Sequence, residues 1–341
     1  MAGELQPSGG KASKNRARIG ERIAARLDRS APGRWVLRTG RAIARWLRSV
    51  RWNSWAFVAP ALLLIGFFLV YPTVTTVVRS FFGRGTSLFG PNVEYVGLTN
   101  WKYVFTNEIM LTSLRNNALW AVLFTACTVG FGLVLAVMLD RVKYEKIAKS
   151  IIFIPAAISM VGASIIWKFI YAYKPAHLDQ IGLLNGIVVA FGGEPLGWLI
   201  QRPWVNNLCL IAVGVWIWTG FCMIIFSAAY KNIPKALLEA ARIDGANEWR
   251  VFRNVILPLL GPTAGVVATT MVVQVLKVFD IVYVMTNGNY STEVIANRMY
   301  KEMFNYNNYG RASAIAVVLL ILIVPFMIVN IRRFVSQEGG R

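Results

Sequence analysis

Histidine occurs once in this 341-residue chain, as His177, and cysteine three times, while Asp, Glu, Lys and Arg together make up only 15% of it. One histidine leaves almost no room for an imidazole-based metal site or a catalytic triad, which need further ligands or partners at suitable spacing. Cys127, Cys209 and Cys222 have neither the spacing of a disulfide framework nor that of a zinc site. Each falls inside an apolar run, where cysteine behaves as a small buried residue. No stretch matches G-x-x-x-x-G-K-[ST], so the chain is not expected to bind ATP through a P-loop, and neither a metal nor a cofactor is expected. The shortage of charge is the most informative absence, because soluble globular chains carry about 25% charged residues.

What is present in excess is apolar sequence, 56% of the chain, and it is grouped. Runs without Asp, Glu, Lys or Arg extend from Trp52 to Val78, Asn116 to Leu139, Ser150 to Trp167, Pro203 to Tyr230 and Ala312 to Ile331. Crossing the hydrocarbon core takes roughly 20 mostly apolar helical residues. A sixth run, Pro262 to Met285, contains Lys277 and Asp280, three apart and so expected on one helix face. Charges at membrane depth are costly and should face each other, a protein interior or a watery cavity. The composition predicts an all-α integral membrane protein with six transmembrane helices.

The net charge of +20 points to nucleic acid only until its distribution is read. With the N-terminus in the cytoplasm, 25 of the 36 Lys and Arg residues fall in the segments 1–55, 140–149, 231–261 and 332–341. The segments 79–113, 173–203 and 287–309 hold 7. This is the positive-inside bias, and it predicts an N-in, C-in topology and no nucleic-acid partner. Residues 1–54 read as a basic cytoplasmic arm, 55–335 as the membrane domain and 336–341 as a cytoplasmic tail. Within the arm, Trp35, Ala42, Ile43, Trp46, Leu47 and Val50 recur near helical spacing opposite Arg38, Arg41, Arg45 and Arg48. That pattern suits either an amphipathic helix on anionic membrane lipids or a solvated flank. The arm is too long and polar for an ordinary signal-peptide n-region, so the first span is expected to stay as an anchor. On the outer side, Gly182 to Trp198 is apolar but too short to span, as an interfacial or re-entrant helix would be.

Between the fourth and fifth runs stands a charged, glycine-broken insert, residues 231–261. Pro234 is placed to start a helix. Ala236 to Ile243 are strong helix formers, with Leu237, Leu238 and Ala241 as an apolar stripe. Asp244-Gly245 then breaks the helix, with glycine available for a left-handed cap. A second short helix begins near Asn247, and Pro258 and Pro262 redirect the chain into the fifth run. Two helical turns are not stable alone in water, so the element must pack on something.

The spacing within this insert is specific. Glu239-Ala240-Ala241, three residues, Gly245, nine residues, Val255, one residue and Leu257-Pro258 resembles the EAA loop of ABC importer permeases. Asp244-Gly245-Ala246, Phe252 and Pro262 resemble the form seen in maltose-type sugar-importer permeases, with Val255 where the family usually has Ile. "FVAPALLLIGFFLVYPTVTTVVRSF", "VGLTNWKYVF" with "SLRNNALWAV", and "FDIVYVMTNG" extend the likeness over most of 55–335. Asn289-Tyr290 stands where the family usually has Gly and Pro, which leaves the shape of that outer turn open.

The resemblance implies a transport subunit and not an enzyme: a multi-pass permease of the bacterial inner membrane, half of a pathway for a sugar. It implies as partners ABC ATPase subunits that bind the ATP, a second permease, an extracytoplasmic solute-binding protein and membrane lipids. It implies a cytoplasmic coupling helix seated on the ATPase through Glu239, Ala240, Ala241, Asp244, Gly245 and Ala246. It also matches Trp216, Trp218, Phe221, Gln274 and Val275 to the region lining the sugar cavity. Other readings stay open at this point: a non-sugar solute such as glycerol phosphate, an ion-coupled transporter using Lys277 and Asp280, or a non-transporting membrane scaffold.

Overall fold

The computed structural model describes residues 52–85, 94–201 and 204–338. The basic arm up to residue 51, with its amphipathic pattern, and residues 339–341 of the tail lie outside the described residues. The chain divides into two units, Met1–Pro72 and Thr73–Arg341. The described part of the first is α1 (Trp52–Ile65), a π-helical turn over Gly66–Val70, and the start of α2 (Tyr71–Arg79). The second continues through α3 (Thr99–Thr106), α4 (Glu108–Leu139), α5 (Glu145–Ala157), α6 (Met160–Ile170), α7 (Leu183–Ala190) and α8 (Val205–Lys231). Then come α9 (Lys235–Ile243), α10 (Glu248–Val251), α11 (Leu257–Leu276), α12 (Asp280–Met285), α13 (Ile295–Tyr300) and α14 (Tyr309–Glu338). Among the described residues no strand forms, and Phe82 and Tyr95 make a single antiparallel bridge.

Among the described residues, five helical stretches are long and apolar enough to cross a membrane: Phe57–Arg79, Glu108–Leu139, Val205–Lys231, Glu248–Leu276 and Tyr309–Arg332. The run expected as the third span is not one straight helix. It is the pair α5 and α6, bent by 98° at their junction, and counts as a sixth span only if the pair is taken together. Pro155 lacks the N–H that would continue the ladder, and the chain leaves the helix two residues later. Ile158 and Ser159 are extended, and the Ser159 hydroxyl caps the new helix by accepting from the Gly162 N–H at 3.1 Å.

Prolines also explain two local widenings. At Tyr71 and at Leu257 the backbone N–H reaches back five residues, to Gly66 and Phe252, and the next residue is Pro72 or Pro258. The proline ring would clash with the carbonyl four residues earlier, and a π-turn opens the helix there without breaking the span.

The fifth span ends sooner than its hydrophobicity predicts. α11 stops at Leu276, Lys277 caps it, and Asp280 opens α12 after a non-helical step. Lys277 and Asp280 are therefore not on one helix face, which corrects the expectation from their spacing. The reason is tertiary. Asn117 of α4 donates to the Leu276 carbonyl at 3.3 Å, while its Oδ1 accepts from the Ile295 N–H at 2.8 Å. A buried side chain thus satisfies a helix end that hydropathy alone would have carried onward.

The core is built on α4 and α8, which form the most extensive helix pair. Lipid tails are as apolar as leucine, so such helices are held by close van der Waals contact more than by the hydrophobic effect. Gly132 of α4 lies against α8 so closely that an added Cβ would stand 2.5 Å from the Cys222 Cβ. Trp120, Phe124, Leu210, Val213 and Met223 fill the rest of the interface and are buried. Asn117→Leu keeps roughly this volume but strands a buried N–H and a carbonyl, each costing about 1–3 kcal/mol. The expected outcome is a lowered midpoint of thermal unfolding in detergent. An unchanged midpoint would show that other groups or water satisfy both.

Candidate functional site

The insert folds as its residues predict. α9 ends in a Schellman turn: the Gly245 N–H bonds the Arg242 carbonyl at 3.1 Å and the Ala246 N–H bonds the Ala241 carbonyl at 3.0 Å. Gly245 has φ +79°, a region that costs a residue with a Cβ but not glycine. Asn247 caps α10 by accepting from the Arg250 N–H at 2.9 Å. Of the expected apolar stripe, Leu238 is buried and Ala241 half-buried, but Leu237 faces outward. The outward face also carries Glu239, Ala240, Asp244 and Gly245, while Ala246 is half-buried against the core. Two large apolar side chains flank it, Ile243 at 86% exposure and Trp249 at 66%, the latter stacked on Phe252 with ring centroids 5.7 Å apart.

Charge ties this insert to the end of α4, a link the sequence reading missed. Glu248 accepts from Arg242 at 2.9 Å within the insert and pairs with Arg141 at 2.5 Å, just past α4. The carboxylate raises the Arg242 pKa through this hydrogen bond. Beside it, Glu145 accepts from both Lys149 and Lys231 at 2.5 Å, and buried Lys149 also donates to Ser227 at 2.5 Å. These contacts join the start of α5 to the end of α8. A polar cleft of about 510 Å³ opens between them, lined among others by Glu145, Lys231, Glu239 and Arg242. Residues 140–149 entered the sequence reading only as a count of positive charge. Their alternation of signs was the signal available for an ion-pair network.

Roughly 35 Å away along α4, at 1.5 Å per residue, lies a second polar cluster. Asn116 donates to the Ser291 and Glu293 carbonyls, both at 2.8 Å, and Asn206 to the Tyr290 carbonyl at 2.6 Å. Asn116 from α4, and Asn206 and Asn207 from the start of α8, thus bond the carbonyls of a single turn. That turn holds Asn287, Gly288, Tyr290 and Ser291 at positive φ. The Asn289-Tyr290 departure from the expected Gly-Pro is therefore accommodated by a left-handed turn whose carbonyls are bonded from two helices. Next to it, Tyr103 donates to Glu302 at 2.8 Å and accepts from Arg298 at 2.6 Å. Burial and the neighbouring carboxylate push its phenol up to about 12.

Of the five residues matched to a sugar cavity, Trp216 and Trp218 face different sides of α8. Trp216 lines an apolar cavity of about 710 Å³ between α4, α5 and α8 and meets Trp167 edge-on at 5.6 Å. Trp218 lies about 200° around α8 from Trp216 and instead pairs edge-on with Phe221 at 5.6 Å. Gln274 is half-buried and Val275 buried in the last turn of α11, where their carbonyls accept from Lys277 and Val278. Two residues apart on a helix cannot share a face, which is why Trp216 and Trp218 part.

Comparison with known proteins follows this geometry. Residues 128–337 match the family described as "Binding-protein-dependent transport system inner membrane component". The osmoprotective compounds uptake permease protein GgtC of Synechocystis sp. is 57% identical over 84% of this chain and 100% of its own length. The alpha-glucoside transport system permease protein AglF of Rhizobium meliloti is 48% identical over 84% of each. A chain in the crystal structure of a bacterial alginate ABC transporter, in complex with its alginate pentasaccharide-bound periplasmic protein, superposes with TM-score 0.69 at 22% identity. That match covers 82% of this chain and 92% of the other, and bears on the fold. An all-helical chain with a family match over more than half its length, and relatives at 57% and 48% identity across most of it, belongs to the binding-protein-dependent inner membrane components of ABC importers.

Proposed function

We propose that this chain is one permease subunit of an ATP-driven importer in the bacterial inner membrane, forming half of the pathway for a sugar or glycoside. A soluble binding protein delivers the solute to the outer loops, a second permease completes the cavity, and the ATPase partners bind the ATP. In this reading the bent pair α5–α6 is a span, giving six, and both termini face the cytoplasm. The observation that carries it is the insert: a capped helix-turn-helix with Glu239, Ala240, Ile243 and Trp249 turned outward, fixed to the span ends by Glu248 and Arg141. Closure of the ATPases moves this lever, and the ion pairs at the ends of α4, α5 and α8 pass the movement into the spans.

Glu239 is the residue to test. It is the fifth residue of α9, too far from the helix start for the dipole to account for a carboxylate there. It is exposed and makes no ion pair among the described residues. If it meets a basic group on the ATPase, Glu239→Gln removes one member of a partly buried pair, which costs about 2–5 kcal/mol. The variant is expected to insert normally, hold its ATPase less tightly and lose substrate-stimulated ATP hydrolysis in the reconstituted complex. Unchanged coupling at physiological salt would remove Glu239 from the interface. Orientation has its own test: impermeant thiol reagents added outside should label cysteines placed at Asp179 or Asn305 but not at Ala246. Labelling at Ala246 would invert the topology.

A second reading of the substrate is favoured by the relative at 57% identity, which is named for osmoprotective compounds. A small, highly water-soluble solute of that kind satisfies the same fold. Binding measurements with the partner solute receptor distinguish it from a sugar. The ion-coupled alternative has lost its support, since Lys277 and Asp280 flank a helix break and form no ion pair among the described residues.

A further inference from the structure

We propose that the cleft at the end of α6 is a binding site for an anionic phospholipid, with Lys168 holding the headgroup phosphate. The cleft has a volume of about 610 Å³ and is walled by Ile165, Phe169, Ile181 and Ile200, with Tyr173 and Trp198 at its side. Phe169 is 66% exposed and Ile181 63%, so the walls are open to whatever surrounds the protein. Among the described residues, Lys168 is the one charged side chain lining it. Its ammonium donates to the Val284 carbonyl at 3.1 Å and forms no ion pair among the described residues. A cation over an apolar groove, with its charge unmatched, selects a ligand with an anionic head and an apolar body.

The polar groups of the cleft argue against a sugar there. Tyr171 spends its hydroxyl on the Cys209 carbonyl at 3.2 Å, and Trp198 spends its indole N–H on Asn185 Oδ1 at 3.1 Å. Both rings therefore offer faces and no free donor, which leaves only the Tyr173 hydroxyl and the Lys168 ammonium as side-chain partners for a sugar's several hydroxyls. The setting suits a lipid. Lys168 sits in the last turn of α6, beside a ring cluster in which Trp167 and Tyr171 lie 5.4 Å apart and Tyr171 and Trp198 6.4 Å. Tryptophan and tyrosine concentrate at the headgroup level, and lysine near a helix end extends its charge to the same depth. The inference rests on α6 lying in the membrane, as in the six-span reading, and not on which solute is carried.

The test uses the complete transporter reconstituted in phosphatidylcholine bilayers containing a small fraction of phosphatidylglycerol with a photoreactive acyl chain. Mapped by peptide mass spectrometry, the label is expected on Ile165–Phe169 and on Ile181. Lys168→Gln should lower it about fivefold, the scale of one basic residue at an anionic surface, and Lys168→Arg should keep it. Equal labelling by photoreactive phosphatidylcholine, or unchanged labelling of Lys168→Gln, would overturn the proposal. So would a cleft that takes label in the isolated chain but none in the assembled complex, since another subunit would then cover it. Retained solute uptake in the same vesicles shows that a failure here leaves the importer assignment standing.

Discussion

Gly245→Val should abolish solute uptake while the protein reaches the membrane at its normal level. The residue sits at φ +79° in the turn between α9 and α10, and nothing lies within 4 Å of where its Cβ would be. The substitution is therefore free of steric conflict, and the whole effect comes from the backbone. A left-handed conformation costs a residue with a Cβ about 1–2 kcal/mol, more for a β-branched one. The chain escapes that cost by unwinding the Schellman turn, which frees the Ala241 and Arg242 carbonyls and swings α9 away from α10. Glu248 then loses its grip on Arg242, and the exposed face that carries Glu239 changes direction. Gly245→Asn is the control, because asparagine tolerates the left-handed region and should keep most of the uptake. Uptake, membrane content and ATPase co-purification are measured together. Wild-type uptake by the valine variant would remove this turn from the coupling path.

Gly132→Val is the second large effect, and it acts on the fold. The added carbons meet the Cys222 Cβ at 2.5 Å and the Met223 backbone nitrogen at 3.0 Å, neither of which a rotamer change can move. α4 and α8 must separate, and the contacts of Trp120, Phe124 and Met223 across that interface loosen with them. Overpacking of this kind costs about 1–3 kcal/mol, and the contact with backbone places it at the upper end. The expected result is a fall in the thermal midpoint and in the yield of assembled complex. Gly132→Ala should show a smaller loss, and adding Cys222→Gly, which deletes the opposing Cβ, should recover part of it. A failure of that rescue would mean that the helices do not approach as closely as described.

These two glycines also separate what can be read in a linear chain from what cannot. Gly245 was legible because its role is local. A helix-forming run, an Asp-Gly break and a capping asparagine lie within a dozen residues, and the Schellman turn follows from them. The same holds for the apolar runs, which are set by composition. Gly132 carried no such signal, since its partner Cys222 is distant in sequence and nothing in either neighbourhood names the other. Arg141 and Glu248 escaped for the same reason, as did Asn116, Asn206 and Asn207, which converge on residues 290–293.

Where the two levels disagreed, a polar group was the cause. Hydropathy extended the fifth span to Met285, but Asn117 takes up the Leu276 carbonyl and ends α11 there. It drew the third run as one helix, but Pro155 and the capping Ser159 turn it by 98°. The sequence by itself determined an all-helical membrane chain, its number of apolar segments and the charged insert, because these depend on composition and short-range spacing. Only the tertiary structure decided where the spans stop, which aromatic residues share a cavity and which charges bind the insert to the spans. Those outcomes depend on hydrogen bonds and close contacts between residues many turns apart, and a buried carbonyl takes whichever donor the packing of the helices brings to it.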